Sequence, residues 1–291
     1  MSTRTLPERL SHFALQSVST PLGQVQFRQA GSVSAARTCV LLHGIGSGSA
    51  SWLAQLEAAE RDPQATRVLA WEAPGYGASQ AVPAAQPMAT DYAHRVWAWL
   101  DALQVSSAVT LVGHSLGAIM AASAAVLIPK RVQQLVLLAP AQGYGAASEA
   151  VRQQKRDDRL HNLNTLGPAG MAQKRASAML SPQASSEHIA FVQSIMAQVH
   201  VAGYTQATHL LAQSDLLTDL QQWSGPLVVA SGQADTITTA SGCQSVAQAR
   251  QVPWHDLGNA GHACALEAAD AVNALLQLTA TQTMSTQKAH A

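Results

Sequence analysis

The chain has 291 residues, 47% of them hydrophobic, which suffices for one large α/β domain or two small ones around a sizeable core. Its 17 cationic and 17 anionic residues give a formal net charge of zero, with no basic block. This excludes a nucleic-acid partner, whose binding rests on neutralising phosphates. Residues 1–16 show no continuous apolar h-region, so no secretory signal is expected. The longest apolar run, residues 118–128, is too short to span a bilayer and is followed by Pro129. The cysteines Cys39, Cys243 and Cys264 are scattered, which suggests neither a disulfide framework nor a zinc site. The expectation is a soluble cytoplasmic protein with no membrane contact, no metal and no cofactor. The oligomeric state is left open, homo-oligomers included.

Residues 1–11 are polar and read as loosely held. Two strands, 13–18 and 24–29, are expected on either side of Pro21-Leu22-Gly23, a hairpin signal. Thr38-Cys39-Val40-Leu41-Leu42 is a continuous apolar run, the mark of a strand buried on both faces. It leads into His43-Gly44-Ile45-Gly46-Ser47-Gly48, then a helix over 51–60. A strand over 67–71 ends at Pro74-Gly75-Tyr76-Gly77. Thr90 reads as the N-cap of a helix through about Gln104, with Tyr92, Val96, Trp99, Leu100 and Leu103 on one apolar face. A strand from Val109 runs into Gly113-His114-Ser115-Leu116-Gly117 and an Ala-rich helix over 118–128; the next strand is 135–138.

From 143 to 223 no strand is legible, only helical spacings such as Ile189, Val192, Met196 and Val199. The strand–helix rhythm resumes with a strand at 226–231, a helix at 239–249, a strand at 252–257 and a last helix over 263–278. Alternation of this kind predicts an α/β fold: a mostly parallel central sheet covered by helices on both faces. The domain reading is a core of 12–142 and 224–278, an inserted helical cap over 143–223, and a disordered polar tail over 279–291.

Gly113-His114-Ser115-Leu116-Gly117 has the G-x-S-x-G form of a nucleophile elbow, between a strand and a helix as that motif demands. Glycines on either side would let strand and helix pack closely beside the serine. A serine hydroxyl needs a base to take its proton and a third group to orient that base. Asp235 and His262 each lie just past a predicted strand, as does Ser115, so all three fall on the carboxyl rim of one sheet. Asp235 taken alone also reads as a turn residue, and His262 as a neighbour of a helix N-cap. Asp256 is the serious rival acid. His94, His161, His188, His200 and His209 fall in helical patterns and read as surface or cap residues, His255 lies within a strand, and His114 would flank the serine. The backbone N–H of Leu116 and that of Ile45, in the Gly-rich loop, are the candidate oxyanion donors.

Together, His43-Gly44-Ile45-Gly46, Ala73-Pro74-Gly75-Tyr76-Gly77-Ala78-Ser79, the serine pentapeptide, Asp235, and Gly261-His262 with Glu267 and Val272-Asn273 resemble the α/β-hydrolase superfamily over about residues 13–278. The likeness is nearest to its small esterases, enol-lactonases and carbon–carbon bond hydrolases. Glu72 departs from the Asp often found there, and His114-Ser115-Leu116 departs from the Asn-Ser-Met of many carbon–carbon hydrolases. The resemblance implies a Ser115–His262–Asp235 triad acting on a small-molecule ester or lactone through an acyl-enzyme. The alternatives are a carbon–carbon bond hydrolase and a non-catalytic ligand-binding relative. The inserted segment begins with Arg152, Lys155, Arg156, Arg159, Lys174 and Arg175 against Glu149, Asp157 and Asp158. These cations read either as a solvated helix face or as a site for a carboxylate-bearing substrate.

Overall fold

The computed structural model describes residues 4–278. Eight strands form one sheet: β1 (Gln16–Val18), β2 (Val25–Ala30), β3 (Arg37–Leu42), β4 (Thr66–Trp71), β5 (Val109–His114), β6 (Val132–Leu138), β7 (Leu227–Ser231) and β8 (Trp254–Asp256). Their order is β1-β2-β4-β3-β5-β6-β7-β8. The β1–β2 hairpin and the β2–β4 pair are antiparallel, and every pair from β4 to β8 is parallel.

The parallel strands carry no polar face because both faces are covered. Alternate residues feed opposite cores. Val40 and Leu42, Leu69 and Trp71, Leu111, and Leu135 and Leu137 point to one side. There they meet α3 (Ala89–Ala102), α4 (Leu116–Leu127), α8 (Leu216–Gln222) and α9 (Ala240–Ala249). Cys39 and Leu41, Val68 and Ala70, Val112, and Val136 and Leu138 point to the other. Their partners are α1 (Leu6–Leu10), α2 (Leu53–Arg61), α10 (Cys264–Glu267) and α11 (Ala269–Leu275). Helix α4 is apolar almost all round because it is buried between β5 and α3.

Between β6 and β7 the chain makes α5 (Glu149–Arg175), α6 (Ser186–Ala197), α7 (Val201–Gln213) and α8. Helix α5 is two arms, broken at Gly167 (φ 63, ψ 174) before Pro168. Ala172, Ala176, Leu180, Val192 and Met196 form a small core of their own here.

Three local expectations are corrected. Residues 6–10 are helical, not loose: Thr5 and Glu8 cap each other's backbone N–H, Pro7 suits the first turn, and Leu6 is buried. The third helix begins at Ala89, with Thr90 inside it, because the Asp91 carboxylate accepts the N–H of Met88 at 2.8 Å. The last helix is interrupted at Ala268 (φ −112, ψ 42), which separates α10 from α11. The expectation for 279–291 lies outside the described residues. The three cysteines are buried and free. Among the described residues no helix is long and apolar enough to cross a membrane.

The turn from β5 into α4 leaves no room for a side chain at either of its glycines. A Cβ on Gly113 would stand 2.3 Å from the carbonyl oxygen of Gly117, and one on Gly117 would stand 2.1 Å from that of Leu42. Both obstacles are backbone atoms, so neither site can relax by moving a side chain. Gly117→Ala is therefore expected to cost about 3 kcal/mol or more, within the range that diagnoses a core clash. Urea denaturation measures this, and a loss below about 1 kcal/mol would show that α4 can shift away from β3.

Candidate active site

The loops after β3, β5, β7 and β8 leave the same edge of the sheet and border one cavity of about 350 Å³. Ile45, Ser115, Leu116, Thr238 and His262 line it, with Tyr204, Met171 and Val192 supplied by the helices between β6 and β7. Asp235 lies behind His262, 3% exposed.

Ser115 sits at φ 54 and ψ −119, an uncommon conformation for a residue with a Cβ. Its N–H donates to the Leu138 carbonyl at 3.0 Å, and its own carbonyl accepts from Ala118 at 3.0 Å and Ala141 at 3.1 Å. These bonds clamp the turn and leave the hydroxyl at its tip. Among the described residues Ser115 Oγ has no protein hydrogen-bond partner, His262 included. Such contacts commonly tighten only when substrate is bound.

His262 Nδ1 donates to Asp235 Oδ2 at 2.8 Å. Asp235 Oδ1 accepts the backbone N–H groups of Ile237 at 2.7 Å and Thr238 at 3.0 Å. Burial pushes the Asp235 carboxyl up. The His262 hydrogen bond and charge, and then the two amides, outweigh that and hold it below the usual carboxylate value. The Thr238 hydroxyl lies 2.9 Å from Asp235 Oδ2, 2.9 Å from the Ala139 carbonyl and 3.1 Å from His262 Nδ1. Thr238 therefore joins the strand-end loops of β6, β7 and β8.

His114 does more than flank the serine. Its Nε2–H donates to the His262 carbonyl at 2.7 Å, and the two rings lie 4.8 Å apart. Burial, then the charge of His262, push its pKa from 6.5 down to about 3, so the ring is neutral. Glu267 holds the same loop from outside: it accepts the N–H of Gly261 at 2.8 Å and the hydroxyl of Ser181 at 2.7 Å.

The loop after β3 is equally fixed. His43 Nε2 accepts from the Ala73 amide at 3.0 Å, so its proton is on Nδ1, which donates to the Gly44 carbonyl at 2.8 Å. That carbonyl also accepts from the Ser47 amide at 3.2 Å. The peptide is planar and trans, so the Ile45 N–H must point the opposite way. The Tyr76 hydroxyl donates to the Ile45 carbonyl at 2.5 Å. Glu72 takes the far end of the loop, accepting the Ser49 amide at 3.0 Å and hydroxyl at 2.5 Å. Among the described residues the amides of Ile45 and Leu116 have no acceptor.

Asp256 is not a rival: it is exposed and accepts from Gln233 and Gly258 at 2.8 Å each. His94, His161, His188, His200, His209 and His255 do not line the cavity. Among the described residues no group of three or more His, Cys, Asp or Glu is placed to hold a metal. His43, Tyr76, Thr238 and the Glu267 clasp carried no local signal of their roles, since each also bonds a residue distant in sequence: Ala73, Ile45, Ala139 and Ser181.

A family model described as the alpha/beta hydrolase family matches residues 39–275. The chain belongs to that family. A protein of Pantoea ananatis named as a carbamate hydrolase, RutD, is 30% identical over 249 residues, covering 83% of this chain and 87% of its own. A 3-oxoadipate enol-lactonase of Acinetobacter baylyi is 27% identical over 183 residues, 60% of this chain and 63% of its own. Among solved structures, the enol-lactonase of Burkholderia xenovorans matches with a TM-score of 0.79 at 19% identity, covering 90% of this chain and 99% of that one. At that identity the likeness speaks for the fold alone.

The buried neutral histidine ties stability to pH. Unfolded His114 takes up a proton below about 6.5, whereas folded His114 does so only near 3. Its contribution is thus fully present above pH 6.5 and is lost as pH falls toward 3, by up to about 1.4 kcal/mol per pH unit. His114→Gln is expected to flatten urea-measured stability between pH 6.5 and 4.5; an unchanged slope would mean that the ring protonates in place.

Proposed function

We propose that this alpha/beta hydrolase cleaves a carboxylic ester or lactone of a small molecule through an acyl-enzyme. The observation that carries the reading is the Asp235–His262 hydrogen bond of 2.8 Å, bordering the same cavity as a serine at φ 54. His262 takes the proton from Ser115 Oγ, which attacks the carbonyl carbon. The amides of Ile45 and Leu116 receive the oxyanion. Asp235 keeps the proton of His262 on Nδ1 and stabilises the imidazolium that forms. His262 then returns its proton to the leaving oxygen. Water, deprotonated by His262, releases the acid and frees Ser115.

The names of the relatives support hydrolysis at an acyl carbon and leave the leaving group open. An enol-lactone and a carbamate present the same tetrahedral chemistry with different leaving atoms. A carbon–carbon bond hydrolase is the alternative that the same triad could serve. In this reading residues 143–223 cap a core made of 12–142 and 224–278, and their helices shield the cavity from water. Neither a metal nor a cofactor enters any step.

Ser115→Ala should lower kcat on a p-nitrophenyl ester by about 10³-fold or more, because it removes the attacking atom. Asp235→Asn should lower kcat by about 10²-fold or more while the protein stays folded, because the amide cannot fix the required tautomer. Steady-state kinetics reads both. Wild-type turnover in Ser115→Ala would overturn the assignment.

A further inference from the structure

Of the six cations at the start of the inserted segment and the end of α5, two line the cavity: Arg159 and Arg175. The others are accounted for elsewhere. Arg152 pairs with Glu149, Arg156 pairs with Asp157 at 2.8 Å, and Lys155 and Lys174 are exposed. Arg159 lies on the arm of α5 before the break at Gly167 and Arg175 on the arm after it, so each arm brings one arginine to the cavity wall.

Among the described residues neither the Arg159 nor the Arg175 side chain has a hydrogen bond or an ion pair. Both are only partly exposed, and no Asp or Glu lines the cavity. Two arginines thus border a cavity that no carboxylate lines. A guanidinium with no carboxylate beside it leaves its N–H donors to water or to an anionic ligand, and the anion makes the stronger, charge-assisted bonds. Guanidinium also suits a planar carboxylate, which it can bind through two parallel N–H···O bonds.

We propose that the site selects substrates bearing a carboxylate in addition to the bond that is cut, and that Arg159 and Arg175 receive it. The inference rests on the serine-hydrolase reading for the identity of the reacting bond, and on the cavity alone for the anion. It makes the chain an acid-ester or acid-lactone hydrolase. The reaction that supplies its substrate must then leave one carboxylate free, and its product is a dicarboxylic acid.

The test compares monomethyl adipate with methyl hexanoate, which differ in a carboxylate against a methyl at the far end. The expected kcat/KM ratio is tenfold or more in favour of the acid, falling to near one in the double variant Arg159→Gln/Arg175→Gln. Thermal unfolding checks that the variant is folded, and Arg175→Gln alone serves if it is not. Adipate binding to Ser115→Ala by calorimetry is read in parallel; adding Arg175→Gln should weaken it about tenfold. Equal kcat/KM for the two wild-type substrates, or adipate binding indifferent to the arginine change, would overturn the inference. If neither ester were hydrolysed, the bond cut would be other than an alkyl ester, and adipate binding would still decide the role of the arginines.

Discussion

A single backbone conformation governs this site: Ser115 at φ 54. Holding a residue with a Cβ in that region costs about 1–3 kcal/mol, so the surroundings must over-determine it. They do so with backbone atoms. Gly113 and Gly117 bring β5, α4 and β3 closer than any side chain would allow, and the amide bond to Leu138 anchors the turn to β6. The strain lifts the hydroxyl off the sheet edge and leaves the Leu116 amide without an acceptor among the described residues. Nucleophile and oxyanion donor are thus two consequences of one turn in the proposed mechanism.

The rest of the rim is fixed through its peptide groups. The imidazole of His262 is held by Asp235, while Thr238 and His114 hold its surroundings from different strands. The Ile45 peptide is aimed by His43, whose Nε2 accepts from Ala73; burial lowers the pKa of the ring and so favours the neutral form that can accept. Glu72, one methylene longer than aspartate, reaches Ser49 and closes the same loop. Donors fixed in this way need little reorganisation when charge develops opposite them. Glu267 links the histidine loop to Ser181, so the helices between β6 and β7 are tied to the His262 side of the cavity.

The sheet was legible because its strands are short apolar runs ending in Gly-rich turns, and helical spacing marks the segments between them. The three rim positions were legible for the same reason: each follows a strand end. The first helix was missed although Thr5-Leu6-Pro7-Glu8 has the capping-box spacing, because a five-residue helix has almost no periodicity to detect. The roles of Thr238, His43 and Tyr76 were not legible. Each depends on a register between strands or loops that no local pattern encodes. The cation cluster was visible in the sequence, but only the fold separates Arg159 and Arg175 from the four that do not line the cavity.

The most direct test of the proposed rim is a crystal structure of the protein after reaction with a fluorophosphonate, whose adduct mimics the tetrahedral intermediate. The account predicts phosphorus bonded to Ser115 Oγ, one phosphonyl oxygen within about 3.1 Å of both the Ile45 and Leu116 nitrogens, and His262 Nε2 within hydrogen-bonding reach of the adduct. An unmodified Ser115, or an adduct whose oxygen points away from both amides, would contradict it.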